Sequence, residues 1–269
     1  MGVHLRELLA PCLSAYYIRD NLVVGSYWGK HGKHTEPKVI ATADVVLTNS
    51  TRYSEYALQW NKHSYMVGQG CDTSLFDDMQ NDIVIPSDML NIPSPIIGYV
   101  GYLTGKRLSV DIIEYIANER PSWSLVLVGP EDEDFKNLSL HQRKNIYFLG
   151  SRDSSELPNY IKGFDVAMNP QLINARTLGN YPRKIDEYLS MGKPVLATDT
   201  PAMHYFKDYV YLAETKEAYV LLAEKALAED SAELQAERRV YANSHSWENN
   251  VETTCAIIEQ VAHEKGISL

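Results

Sequence analysis

Between residues 96 and 198 the chain repeats one pattern: a short apolar run, a stop at glycine or proline, then a segment with helical spacing. Ile96-Ile97-Gly98-Tyr99-Val100 halts at Gly101, residues 123–128 at Gly129-Pro130, residues 145–148 at Gly150, and Val166-Ala167-Met168 at Asn169-Pro170. Val195-Leu196-Ala197 follows a helical stretch over 184–191. Strands too short to stand alone, alternating with helices, build a parallel sheet covered on both faces. Residues 109–119 read as a helix with Val110, Ile113, Ile116 and Ala117 along one stripe. Two long helices over 214–243 and 247–264 close this nearly complete doubly wound unit.

The region before it follows the same alternation with fewer parts. Strands are expected over 14–18, 44–48 and 64–67. Helices are expected over 35–43, with Thr35 as cap and Pro37 in the first turn, and over 51–60. Three strands leave a sheet edge and apolar surface uncovered. The expectation is therefore either an N-terminal portion present only in relatives or a partner chain over that edge. The divisions read as a partial N-terminal α/β unit over 1–76, a Pro- and Asp-rich linker over 77–95, a Rossmann-like unit over 96–245, and a helix over 246–269 that folds back on the N-terminal part.

Composition narrows the functions. With 45% apolar residues the chain can bury a core, which excludes disorder. Lys and Arg number 25 against 35 Asp and Glu, a formal charge of -10, so no nucleic-acid partner is expected. Three dispersed cysteines make neither a disulfide framework nor a zinc ribbon. No apolar run reaches the roughly 20 residues of a spanning helix, and Arg6 and Glu7 interrupt any signal-peptide core. The expected location is cytoplasmic, with peripheral association at the inner face of the membrane as the closest approach to lipid.

In a parallel sheet the segments after the strands share one edge, where ligands of open α/β sheets bind. Gly101 and Gly105 allow close backbone approach, and Lys106 and Arg107 follow at once; Gly129 and Gly150 stand at the neighbouring strand ends. That combination suits a diphosphate, or else it is an ordinary loop with a solvated basic pair. No Gly-x-Gly-x-x-Gly or Gly-Lys-Ser/Thr follows the strand. Lys184 and Glu187, three apart, share a helix face: the carboxylate can accept vicinal ribose hydroxyls beside a cation, or the two form a surface ion pair. His31 and His34 read as loop histidines, and Glu131-Asp132-Glu133-Asp134 as a solvated acidic loop. Arg19-Asp20-Asn21, after the first strand, is a candidate for substrate contact.

Five segments in order carry a resemblance. They are Gly70-Cys71-Asp72 through Phe76; Tyr99-Val100-Gly101 with Arg107; Leu149-Gly150 with Glu156-Leu157-Pro158; Pro182-x-Lys184-x-x-Glu187-Tyr188-Leu189-x-Met191-Gly192-Lys193-Pro194-Val195; and Ser246-Trp247-Glu248. Together the chain resembles retaining GT-B glycosyltransferases of the group 1 (family four) type. The resemblance implies a complete donor domain plus a partial acceptor domain. It implies transfer of a sugar from a UDP- or GDP-linked donor, without metal or other cofactor, to a glycan or lipid-linked acceptor in surface polysaccharide synthesis. It places Glu187 on the ribose, Gly150, Glu156 and Leu157 at the base, and Gly101, Gly129 and Lys106 on the donor, with Arg107 and Lys184 offsetting diphosphate charge.

Two positions depart from the family pattern. Eight residues before Glu187 stands Gly179 rather than glutamate, so the donor-sugar contacts fall to Asn174 and Thr177. Tyr102 replaces a frequent arginine. A chain with so little acceptor domain is expected to transfer sugar poorly by itself. The competing readings are a sugar-nucleotide epimerase of the same fold and a non-catalytic nucleotide-binding or interaction module.

Overall fold

The structure is a computed structural model describing residues 5–24, 26–79 and 82–268. The N-terminal unit contains α1 (Leu5–Leu9), β1 (Ala15–Ile18), α2 (Ser26–Thr42), β2 (Val45–Thr48), α3 (Thr51–Leu58) and β3 (Ser64–Met66). The second unit begins with β4 (Ile96–Val100), α4 (Val110–Glu119), β5 (Ser124–Val128), α5 (Glu133–Lys136), β6 (Ile146–Gly150) and α6 (Leu157–Lys162). It continues with β7 (Val166–Asn169), α7 (Lys184–Ser190), β8 (Val195–Thr198), β9 (Tyr211–Ala213), α8 (Lys216–Glu229) and α9 (Ala232–Asn243). The helix α10 (Trp247–Glu264) follows.

Both sheets are parallel throughout. The first runs β1-β2-β3 and the second β6-β5-β4-β7-β8-β9. The second order reverses direction at β4, whose neighbours are β5 on one side and β7 on the other. That reversal opens a crevice at the carboxyl ends of β4 and β7. The strands there are apolar on both faces because both faces are covered. Along β5, Val126 and Val128 pack with Val100, Phe164 and Tyr188. Leu125 and Leu127 face the opposite layer with Tyr99, Ile113, Ile116 and Tyr219. Gly98 has a packing reason: a Cβ there would sit 2.2 Å from the Phe164 ring.

The structure changes three of the sequence expectations. The helix expected over 35–43 starts at Ser26, so Pro37 lies inside it and His31 and His34 are helical rather than in a loop. Thr35 is no cap; its hydroxyl donates to the His31 carbonyl at 3.0 Å. The long helix over 214–243 is two helices. Asp230 breaks it, and Ser231 caps α9 by accepting from the Leu234 amide. A ninth strand, Tyr211–Ala213, precedes them unannounced.

The segment 77–95 has no helix or strand among its described residues, yet it is a strap rather than a free linker. Ile83 and Met89 are buried in the same core as Phe76, and Asp88 accepts from Arg152 and Tyr160. The last helix returns to the first unit. Val261 packs on Val45 and Leu47, Asn250 Nδ2 donates to the Val67 carbonyl at 2.7 Å, and Lys265 pairs with Asp44 at 2.9 Å. No helix among the described residues is long and apolar enough to cross a membrane.

Candidate functional site

The crevice at the switch point is a cavity of about 340 Å³ whose walls include Gly101, Arg107, Leu157, Asn169, Lys184 and Glu187. Its floor depends on two glycines. Gly101 and Gly129 have φ of +142° and +146°, and a Cβ on Gly129 would lie 2.0 Å from the Gly101 carbonyl oxygen. The Gly101 amide donates to Val128 at 2.9 Å, and the Gly129 amide to Gly150 at 2.8 Å. These glycines therefore supply space, and their amides are spent on the sheet.

Above Gly101 stands the Lys184 ammonium. It donates to the Tyr99 hydroxyl at 2.6 Å and lies 3.9 Å from the centre of the Tyr99 ring. Tyr188, on the same helix, accepts the Val100 amide at 2.8 Å, which seats α7 against the end of β4. Glu187 is only 9% exposed, with Oε1 3.2 Å from Arg183 Nε. Burial pushes its carboxyl up; the charges of Arg183 and Lys184 oppose that rise. Arg107 is exposed at the cavity wall, with no carboxylate within ion-pair distance among the described residues. An unpaired guanidinium, a lysine ammonium and a sheltered carboxylate thus face one cavity.

The other expected residues are placed differently. Lys106 does not line the cavity. Asn174 does not either: its Oδ1 accepts from the amides of Arg176 and Thr177 at 2.9 and 3.1 Å, and its Nδ2 donates to the Lys106 carbonyl. Thr177 reaches the wall but is 1% exposed, with its hydroxyl engaged by the Asn174 amide and the Leu172 carbonyl. Both side chains brace the loop. Glu156 accepts from the Asp153 amide at 3.0 Å in a capping box, so of the Glu156-Leu157 pair only Leu157 lines the cavity.

Three participants do not stand out in the sequence. Asn169, 3% exposed at the end of β7, carries a buried Nδ2 with no hydrogen-bond partner, an unmet donor at the cavity wall. Its place as a strand terminator is the one available signal. Tyr99 is the platform under Lys184. Asp186 is fully buried and bonded to Tyr181 and His245, partners that no local spacing reveals. The motif lysine Lys193 has a structural task, donating to the carbonyls of Lys162, the last residue of α6, and Phe164 just after it. Opposite the loop over 174–180, the N-terminal unit has its own cavity of about 330 Å³, with Asp20, Asn21, Glu36 and Arg52 in its wall. Asn21 bonds the Ala175 carbonyl and Tyr53 bonds Asn180, so that loop lies between the two cavities.

A family model described as glycosyl transferases group 1 matches residues 94–236, more than half of the chain and all of the crevice. The chain belongs to that family. It is 29% identical over 161 residues to TuaH of Bacillus subtilis, a glycosyltransferase assigned by inference to teichuronic acid biosynthesis. That match takes in 56% of this chain and 40% of the relative, so the aligned part is less than half of the relative's length. Among solved structures, Anabaena HepE in complex with UDP superposes with a TM-score of 0.76 at 17% identity, covering 98% of this chain and 75% of HepE. Sucrose-phosphate synthase from Thermosynechococcus elongatus follows at 0.70 and 17%, covering 93% and 68%. At those identities the likeness is one of fold, the GT-B arrangement of two α/β units.

Proposed function

We propose that this chain is the donor-binding part, with a portion of the acceptor side, of a glycosyltransferase of surface polysaccharide synthesis that moves a sugar from a nucleotide donor to a glycan or lipid-linked acceptor. One observation carries the reading: Lys184 and Glu187, on one turn of α7, both face the switch-point cavity across from Arg107. In this reading Glu187 accepts the ribose hydroxyls, and the diphosphate lies over Gly101 between Lys184 and Arg107. Leu157 borders the base. As the bond between sugar and diphosphate breaks, negative charge grows on the leaving group, and the two cations stabilise it in place. A retained anomeric configuration and a hexosyl donor belong to the same proposal. The UDP and UDP-glucose complexes of HepE make a UDP-sugar the first donor to test, and the relation to TuaH makes a teichuronic acid intermediate the first acceptor to test. We place that acceptor in the N-terminal cavity facing the loop over 174–180.

Calorimetric titration of the purified chain with UDP, GDP and ADP tests this. Saturable binding of one nucleotide is expected, weakened at least tenfold by Glu187→Ala. Absence of binding by all three overturns the donor assignment.

A further inference from the structure

Asp186 precedes Glu187 but turns away from the crevice into the interior, where it is 0% exposed. Its Oδ2 accepts from the Tyr181 hydroxyl at 2.7 Å, and its Oδ1 lies 2.9 Å from His245 Nδ1. The other ring nitrogen of His245 is 3.0 Å from the Tyr205 hydroxyl, so both nitrogens are engaged. A buried carboxylate held by a histidine and a tyrosine is costly to leave half-satisfied. It stands one residue from the side chain assigned to ribose.

The backbone of that same histidine performs a second task. The chain passes between the two units near Cys71 and again after His245, and these passages are bonded to each other. The Cys71 amide donates to the His245 carbonyl at 2.9 Å, and the Trp247 amide to the Cys71 carbonyl at 3.2 Å. There is no slack here: a Cβ on Gly70 would meet the Trp247 ring at 2.3 Å. One residue is therefore tied by its side chain to α7 and by its carbonyl to the interdomain crossing.

We propose that His245 is a positioning residue that, through Asp186, fixes the turn of α7 bearing Lys184 and Glu187 relative to the crossing, so that nucleotide affinity depends on the geometry of the crossing. Its consequence for binding rests on the proposed donor site; the tie itself does not. The titratable groups facing Asp186 are His245, Tyr181, Tyr205, Tyr241 and Cys71, with Glu187 adjacent on the helix. Burial raises the Asp186 carboxyl, and His245 is the main opposing influence. Removing His245 raises it further. The carboxylate of such a variant then ionises with only the Tyr181 hydroxyl to hold it as pH increases, and α7 loosens in the alkaline range.

The experiment uses the full chain with His245→Leu, His245→Asn, Asp186→Asn and the double variant H245L/D186N. Hydrogen exchange without ligand is read first. His245→Leu is expected to speed exchange about tenfold or more both at Cys71 and over residues 184–188, and His245→Asn, which keeps a donor, to restore most of the protection. Affinity for UDP between pH 5.5 and 8.5 is read second. His245→Leu is expected to weaken it at least tenfold at the alkaline end and to recover toward the acid end. H245L/D186N is expected to show a flat profile, which assigns the slope to Asp186 rather than Glu187. Faster exchange at Cys71 with residues 184–188 unmoved overturns the tie, and an unchanged affinity across the pH range in a chain that binds UDP overturns its control of the nucleotide site. If the unaltered chain binds no nucleotide, the donor reading falls and the exchange data still decide the tie. If His245→Leu does not fold, His245→Asn and Asp186→Asn decide it by the same exchange measurement.

Discussion

The two α/β units use the same strand-and-helix alternation to different ends. In the second unit β4 has a strand on each side and all five of its residues are buried. In the first, β1 pairs only with β2 among the described residues; of its four residues only Ile18 is buried, and Tyr17 is 39% exposed. A strand flanked on both sides can end at a reversal of strand order, and a crevice forms there. An edge strand cannot supply that geometry. The difference teaches where chemistry can be concentrated: Gly101 with its positive φ, the unpaired Arg107 and the buried Glu187 gather where β4 and β7 part.

The contrast should be harshest at the strand ends. Gly129→Ala forces a Cβ against backbone at 2.0 Å, which no rotamer change relieves. A loss of about 4 kcal/mol or more is expected in urea unfolding, together with loss of nucleotide binding. Gly68, in the first unit, has φ +70°, and a Cβ placed on it would meet nothing within 4 Å. There Gly68→Ala is expected to cost only about 1 kcal/mol, the conformational penalty alone. Equal costs at the two positions would remove the distinction between a close backbone crossing and an open turn.

Core truncation comes next. Leu127 is fully buried between the sheet and its helices, so Leu127→Ala should cost about 3–4 kcal/mol. Ile18→Ala should cost about 2 kcal/mol because Ile18 belongs to a smaller core cluster and borders the N-terminal cavity, where its neighbours can relax. Native-state hydrogen exchange sharpens this further: Ile18→Ala should speed exchange in β1 and β2 while leaving β5 protected. Parallel acceleration of both sheets would mean that the two units open as one.

The second unit is largely legible in the sequence because its strand ends are punctuated by glycine and its helix stripes are regular. Lys184, Glu187, Arg107 and Gly101 stand out by spacing and by motif, and they share one cavity. What escapes has no local signature or has one that is masked. Ser231, a capping residue after Asp230, marks the division of the supposed long helix, yet continuous helical propensity over 214–243 hides it. Helix α2 begins earlier than expected, at Ser26, and runs through Pro37 against local preference, so the proline misplaces its start in the sequence. The Asp186–His245 contact spans 59 positions, and only the folded chain joins them. Asn174 and Thr177 have the chemistry of sugar-binding side chains, but their oxygens are used within the loop itself, a choice that spacing alone does not reveal.

The smallest effects lie inside the first unit, where two acids shift in opposite directions. Burial tends to raise Asp44, but hydrogen bonds from Lys265 and Ser14, with Arg6 nearby, bring its carboxyl down to about 2 from 3.8. A lowered folded value contributes stability that is present above pH 3.8 and lost as pH falls through about 2. Asp44→Asn should therefore cost about 1–2 kcal/mol at pH 7, less than the full shift because Arg6 and Lys265 are partly in solvent, and close to nothing near pH 2. Glu36, 3% exposed, accepts from Tyr16 and Tyr56 at 3.1 and 3.4 Å. Burial nevertheless raises its carboxyl above the ordinary 4.5. Its contribution is present below pH 4.5 and is lost as pH rises through the raised value. Glu36→Gln keeps a group able to bond both tyrosines and removes the charge, so its stability relative to the unaltered chain should improve from pH 4 to pH 8. Asp44→Asn should move the other way over the acid range. If both variants drift in the same direction in urea midpoints measured across pH, the opposite environments assigned to these two carboxyls are wrong, and α10 does not hold the first unit through Asp44.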